Sequence, residues 1–300
     1  MNKFCLITNR SKDADLELTN EIITYMTMHQ KDCVCIDREN YFSKRNGAVA
    51  TENDKGNMTS TDVIPTDTDC ILVLGGDGTI IQAADIVCGL EIPILGINLG
   101  TLGFLAEIEK NQVWTALDRL FADKYSVEER IMLKGVLVND NTQEYLGVAL
   151  NDIVISRSNF SKIINISIYV NGELADSYRG DGVIVSTPTG STGYSLSSGG
   201  PVVKPDADIL VLTPICPHTL GTRSIVISSN DSVSIQINEN KTSDQEGAVA
   251  VLDGKLTREL IAGDSIHITK ASEKTRMVKI NHVEFFEVLR KKIGQGGEKR

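Results

Sequence analysis

The segment from Ile71 to Thr79 reads ILVLGGDGT. An apolar run suited to a buried strand ends in Gly75-Gly76-Asp77-Gly78-Thr79, and Ile80-Ile81-Gln82-Ala83-Ala84 then opens a helical pattern. A strand that feeds a helix through a glycine turn belongs to an α/β layer, because the helix must cross back over the sheet before the next parallel strand can form. The turn also carries chemistry. Glycines let backbone N–H groups approach an anion at a helix N-terminus, where the dipole favours negative charge. Gly75, Gly76 and Thr79 are therefore candidate phosphate or nucleotide contacts. Asp77 does not suit phosphate by itself. A carboxylate among phosphates makes sense if it holds a divalent cation or takes a proton from an attacking hydroxyl, which points to phosphoryl transfer with Asp77 as the catalytic candidate. An ordinary Gly-Asp-Gly turn between strand and helix is the alternative reading of the motif alone.

The flanking pattern supports an α/β unit as far as about residue 124. Phe4–Ile7 and Val34–Ile36 read as strands, and residues 13–29 place Ala14, Leu18, Ile22, Tyr25 and Met26 at helical spacing. A helix over 78–90, a strand over 93–97 and a helix near 110–122 complete it. The polar stretch 38–69 reads as a long excursion of the kind that covers a site or is disordered. From Tyr125 the character becomes β. Val- and Ile-rich runs at 131–138, 146–156, 163–170, 183–187, 209–213, 224–228, 232–237, 248–252 and 265–269 are separated by turn signals such as Asn171-Gly172 and Asp253-Gly254. Val283, Phe286, Leu289 and Ile293 restore helical spacing at the end. The expected architecture is an α/β N-terminal domain with a parallel sheet (1–124), an all-β C-terminal domain (125–272) and a closing segment (273–300).

Composition narrows the partners. With 300 residues, 41% hydrophobic and 23% charged, the chain is long enough for two globular domains, and its net charge of −10 disfavours nucleic acid or an anionic membrane. The N-terminal MNKFCLITNR has too brief an apolar run for a signal peptide or a membrane span, so a cytoplasmic protein is expected. Six cysteines without a C-x-x-C pair read as buried reduced thiols.

Four further segments carry polar chemistry. Gly96-Ile97-Asn98-Leu99-Gly100-Thr101-Leu102-Gly103-Phe104-Leu105 should emerge beside the first glycine turn, with Phe104 either flanking a heterocycle or sitting in the core. Asn151-Asp152 interrupts an apolar strand pattern and should face solvent or a ligand such as a ribose diol or an adenine edge, unless it marks a β-bulge. Arg179-Gly180-Asp181-Gly182 leads through a short strand into STPTGSTGYSLSSGGP, a loop dense in hydroxyl and amide donors around Tyr194. Pro188, Tyr194 and Pro201 are too rigid for a linker. In TPICPHTL, His218 could contact phosphate or ribose, or make a structural hydrogen bond.

The order of these pieces, GGDGT, GINLGTLGFL, an Asn-acid pair, GDGVIVSTPTGSTGYSLSSGGP and TPICPHTL, closely resembles the NAD kinase family over about residues 3–290. The resemblance implies transfer of a phosphoryl group from ATP or polyphosphate to the adenosine-ribose 2′-hydroxyl of NAD, giving NADP, with Mg²⁺ or another divalent metal. It also implies a fold of the NAD kinase and diacylglycerol kinase type, a C-terminal helix returning to the first domain, and a homodimer or homotetramer. Carried over by motif, Asp77 is catalytic, and Gly78 beside it binds NAD. Asn151 and Asp152 hold the ribose and adenine region, and Asp181 contacts the nicotinamide amide. Arg179, Thr192, Gly193, Tyr194 and Ser197 line the dinucleotide pocket, flanked by Phe104. The metal ligands are not identified by motif. One departure stands out: the family's pair is usually Asn-Glu, and here the acid is Asp152, one methylene shorter.

A carboxylate is too weak a base to deprotonate a ribose hydroxyl in advance, so the expected role is to orient the hydroxyl and accept its proton late. The GGDGT turn is also similar to that of lipid kinases and phosphofructokinases, but neither explains STPTGSTGY. A non-catalytic NAD-sensing protein would keep the binding loops and could dispense with Asp77.

Overall fold

The computed structural model describes residues 1–37, 64–101, 103–139, 142–158, 162–239, 247–281 and 283–294. The polar excursion 38–69 lies outside them except for 64–69. The chain divides into two compact units, one formed by Met1–Glu129 with Thr275–Arg300 and the other by Arg130–Lys274.

In the first unit, β1 (Lys3–Thr8), β2 (Asp32–Asp37), β3 (Cys70–Gly75), β4 (Ile94–Asn98) and β5 (Ile108–Glu109) run parallel in the order β2-β1-β3-β4-β5. Every residue of β3 and β4 is buried, as expected of strands covered on both faces. Helix α1 (Glu17–Met28) packs Leu18, Ile22 and Met26, at four-residue spacing, into the core with Phe4, Leu6, Leu72, Leu74 and Leu95. The sequence pattern places this helix from residue 13. It starts instead at Glu17 because Asp13 caps it from the preceding turn, accepting from the N–H groups of Leu18 (3.3 Å) and Thr19 (3.0 Å). Helix α2 (Asp77–Ile86) begins at the GGDGT turn, and α3 (Val113–Phe121) adds Val113, Ala116, Leu117 and Leu120 to the same core.

The second unit is largely antiparallel β. Its strands are β6 (Ser126–Asn139), β7 (Thr142–Ala149), β8 (Asp152–Arg157), β9 (Ile164–Val170), β10 (Glu173–Gly180), β11 (Gly182–Ser186), β12 (Ile209–Ile215), β13 (Ile225–Ser228), β14 (Val233–Ile237), β15 (Ala248–Leu252), β16 (Lys255–Leu260) and β17 (Ser265–Lys279). β6 and β17 each cross the boundary between the units. One sheet has the order β13-β12-β11-β8-β15-β16, and another places β10, β9, β14 and β17 side by side. Inward residues of both, among them Ile153, Ile155, Val183, Val185, Ile166, Ile235 and Ile266, form one core. Asn171-Gly172 (φ 51° and 83°) and Asp253-Gly254 (φ 47° and 77°) make the tight turns of the β9–β10 and β15–β16 hairpins. The helix α4 (Tyr194–Ser197) lies in this unit, and α5 (Phe285–Gly294) in the first.

Three expectations need correction. The run 146–156 is two strands, β7 and β8, parted at Leu150-Asn151, so the polar pair marks a turn and a strand start rather than an interruption within a strand. The strand at 265–269 continues to Lys279 through a polar half that periodicity alone does not reveal. Of the six cysteines, Cys5 and Cys70 are buried, but Cys35 and Cys216 are exposed. Among the described residues, no helix is long and apolar enough to cross a membrane.

Candidate active site

The first cluster lies beyond the carboxyl ends of β3 and β4, the edge where open parallel sheets bind ligands. Gly76 is the N-cap of α2 and Asp77 its first residue. The Asp77 carboxylate is held by the loop that follows β4: Oδ2 accepts from the Phe104 N–H at 2.7 Å, and Oδ1 from those of Leu105 at 3.1 Å and Ala106 at 3.4 Å. Gly103 permits this, since a Cβ there would overlap Asp77 Oδ1. A carboxylate offers about four lone-pair directions, and three are taken by amides. Among the described residues the open one is on Oδ2, which accepts a single hydrogen bond.

The glycines act by close approach. None of Gly75, Gly76 and Gly78 has a positive φ. Gly75 is buried against Thr79, whose hydroxyl accepts from Asn9 Nδ2 at 3.2 Å, while Gly76 and Gly78 keep exposure. A methyl at Gly76 or at Gly100 would lie 3.0 Å from Lys12 Nζ, so one ammonium stands over both glycine loops. Sequence reasoning missed Lys12, although its position just past β1, at the same edge of the sheet, is a signal that was available. Phe104 is half-buried; its ring packs on Phe285 (centroids 6.1 Å apart), and Lys292 Nζ lies 4.6 Å from its centroid.

The second cluster is built around Asn151 and Asp152. Gly190 packs directly on the Asn151 carbonyl, where a Cβ would overlap it. A Cβ on Gly193 would sit 3.8 Å from Asn151 Nδ2 and 3.9 Å from Asp152 Oδ2, so the STPTGSTGY segment and the Asn-acid pair meet side chain to backbone. Asp152 is only 6% exposed, contrary to the solvent-facing alternative, and burial followed by the charge of Asp253 pushes its carboxyl up to about 7. Asp253, noted in sequence only for its turn, accepts hydrogen bonds from the N–H groups of Leu150, Asn151 and Asp152.

Thr192, half-buried, donates to the Thr189 carbonyl at 3.2 Å, whereas Tyr194 and Ser197 are exposed on α4. Asp181 forms an ion pair with Arg157 (Oδ1 to Nε, 2.9 Å). Arg179 and His218 come together elsewhere in this unit: the His218 N–H donates to the Arg179 carbonyl at 2.8 Å, and both line a cavity of about 460 Å³ with Asn165, Ser177 and Tyr178. Among the described residues, no three His, Cys, Asp or Glu side chains gather as a metal site. Asp77 spends most of its acceptor capacity on amides.

An α/β unit with a carboxylate in a glycine turn at its sheet edge and an antiparallel β unit make up a fold shared with solved NAD and NADH kinases. Residues 4–125 match the ATP-NAD kinase N-terminal domain and residues 150–280 the ATP-NAD kinase C-terminal domain. The NAD kinase of Lachnoclostridium phytofermentans is 45% identical over 296 residues, covering 98% of this chain and 99% of that protein. That of Agathobacter rectalis is 45% identical over 295 residues, with 98% and 99% covered. Among solved structures, the yeast NADH kinase complexed with NADH superposes with a TM-score of 0.83 at 23% identity, covering 100% of this chain and 89% of that one. An Archaeoglobus fulgidus NAD kinase in complex with ATP gives 0.72 at 22% identity, with 98% of each chain covered. The chain belongs to the NAD kinase family.

Proposed function

We propose that this chain is an NAD kinase that transfers a phosphoryl group from ATP or polyphosphate to the adenosine-ribose 2′-hydroxyl of NAD, giving NADP. The observation that carries the proposal is the Asp77 carboxylate, fixed by three backbone amides with one acceptor direction on Oδ2 left open. A carboxylate so held can accept one hydrogen bond from an attacking hydroxyl and fix its direction without reorganising. As the loose transition state collapses, the proton passes from that hydroxyl to Asp77. Gly76 and Lys12 supply backbone and charge to the transferring phosphates and Gly78 meets the NAD, with Gly75 and Thr79 holding the turn from beneath.

Asn151 and Asp152 take the ribose and adenine of the acceptor, with Thr192, Gly193, Tyr194 and Ser197 lining the dinucleotide, Phe104 flanking it and Asp181 toward the nicotinamide amide. Arg179 and His218 contribute a polar cavity suited to ribose or phosphate. When bound with the phosphates of the donor, Mg²⁺ or another divalent metal would neutralise their charge. The working division is 1–124, 125–272 and a 273–300 segment belonging with the first domain; the grouping of Thr275–Arg300 with Met1–Glu129 supports it. The protein works in the cytoplasm as a homodimer or homotetramer, the assembly supported by exposed apolar side chains at Leu220, Val226 and Ile261.

The test is direct. Purified protein with Mg²⁺, ATP and NAD should produce NADP, read with an NADP-specific dehydrogenase, and crossing NAD and NADH with ATP and polyphosphate defines the substrate range. Protein that binds NAD yet phosphorylates it with no donor would overturn the proposal in favour of a sensor.

A further inference from the structure

The turn that carries Asn151 and Asp152 has every backbone polar group accounted for, and one side chain about a hundred residues further along does half of that. Asp253 Oδ2 accepts from the Leu150 N–H at 2.7 Å, and Oδ1 from those of Asn151 at 2.8 Å and Asp152 at 3.2 Å. The Asp253 N–H in turn donates to the Asp152 carbonyl at 3.1 Å. From the other side, Thr187 Oγ1 donates to the Leu150 carbonyl at 2.6 Å and the Thr187 N–H to that of Asn151 at 2.9 Å. With all three N–H and all three C=O groups paired, the Asn151 and Asp152 side chains are not needed to satisfy the local backbone and are left for a ligand.

The hairpin alone does not explain Asp253. Asp253-Gly254 forms a tight turn that Asn-Gly makes equally well. A carboxylate here is half-buried beside a second, buried carboxylate, Asp152, and desolvation raises its pKa even though three N–H groups pull the other way. That arrangement is costly for a mere turn residue.

We propose that Asp253 is a positioning residue for the acceptor: by clamping the Leu150–Asp152 backbone it aims Asn151 and Asp152 at the ribose and adenine of NAD. The inference rests on the assignment of Asn151 and Asp152 to the acceptor. Asp253→Asn is the sharpest perturbation, because asparagine tolerates the same left-handed backbone but has one acceptor oxygen, and its NH₂ must face at least one backbone N–H. Loss of one charge-assisted hydrogen bond to the turn should raise KM for NAD by about 10- to 100-fold, while KM for ATP and kcat stay within about threefold.

Steady-state kinetics on the purified full chain, with both substrates varied, read this split; thermal unfolding runs alongside. Parallel rises in both KM values, or unchanged KM for NAD, would overturn the proposal and leave Asp253 with a structural role only. If Asp253→Asn does not fold, Thr187→Val removes the hydroxyl from the opposite side of the same turn and is judged by the same two outcomes. Asn151→Ala separates the two levels. It should raise KM for NAD selectively. If it does not, the acceptor assignment falls; if it does while Asp253→Asn shows no split, only the positioning role falls.

Discussion

Asp152→Asn should shift stability in favour of the variant as pH rises from acid to alkaline. Asp152 is 6% exposed, and burial together with the Asp253 charge lifts its carboxyl from the usual 3.8 to about 7. In the unfolded chain the group ionises near 3.8, so below that pH both states hold the proton and the burial costs nothing through ionisation. As pH rises from about 4 to about 7, the folded state binds a proton that the unfolded state has released, and stability falls; above about 7 both are ionised and the loss has reached its full value. At about 1.4 kcal/mol per pH unit, this gap caps the loss at about 4 kcal/mol. Asparagine fills nearly the same volume without a titratable proton, so any fixed cost of burying its amide is the same at every pH and cancels from the comparison. Thermal unfolding of substrate-free wild type and variant at pH 4.5 and pH 8 should show the difference in their stabilities move in favour of the variant by between about 1 and 4 kcal/mol, or at least about 2 °C in Tm. A difference independent of pH, or one that moves toward the wild type as pH rises, would refute the reasoning.

Asp77→Asn should lower kcat by at least about 10²-fold, because asparagine cannot accept the proton and turns an NH₂ toward one of the Phe104–Ala106 amides; near-normal kcat would remove Asp77 from the chemistry. Gly103→Ala places a methyl on Asp77 Oδ1 and should cost activity of the same order with little change in far-UV circular dichroism, whereas unimpaired turnover would show that the Asp77 clamp is dispensable. Lys12→Ala should raise KM for ATP several-fold and weaken its salt dependence, given the position of the ammonium over Gly76 and Gly100; an equal rise in KM for NAD would place Lys12 outside the donor phosphates.

The amino-acid sequence by itself determined the elements whose signals are local. The apolar run into GGDGT specifies strand, turn and helix because neighbouring residues alone set backbone propensity and burial period. Asn171-Gly172 and Asp253-Gly254 specify hairpin turns because two residues suffice to demand the left-handed backbone. Motif order was enough to place the chain in its family. Strand β10, ELADSYRG, was missed because its exposed residues leave no clear alternation, and β17 was cut short where its sequence turns polar. What the tertiary structure alone decided is how the functional carboxylates are held. The partners of Asp77 are 27–29 residues away, and those of Asp253 are 101–103 residues away. Hydrogen bonds over such separations depend on where strands register in three dimensions, and no periodicity along the chain encodes them. The same holds for the burial of Asp152, which depends on the strands and loops packed over it; from sequence, a polar pair between apolar runs looks like an exposed one.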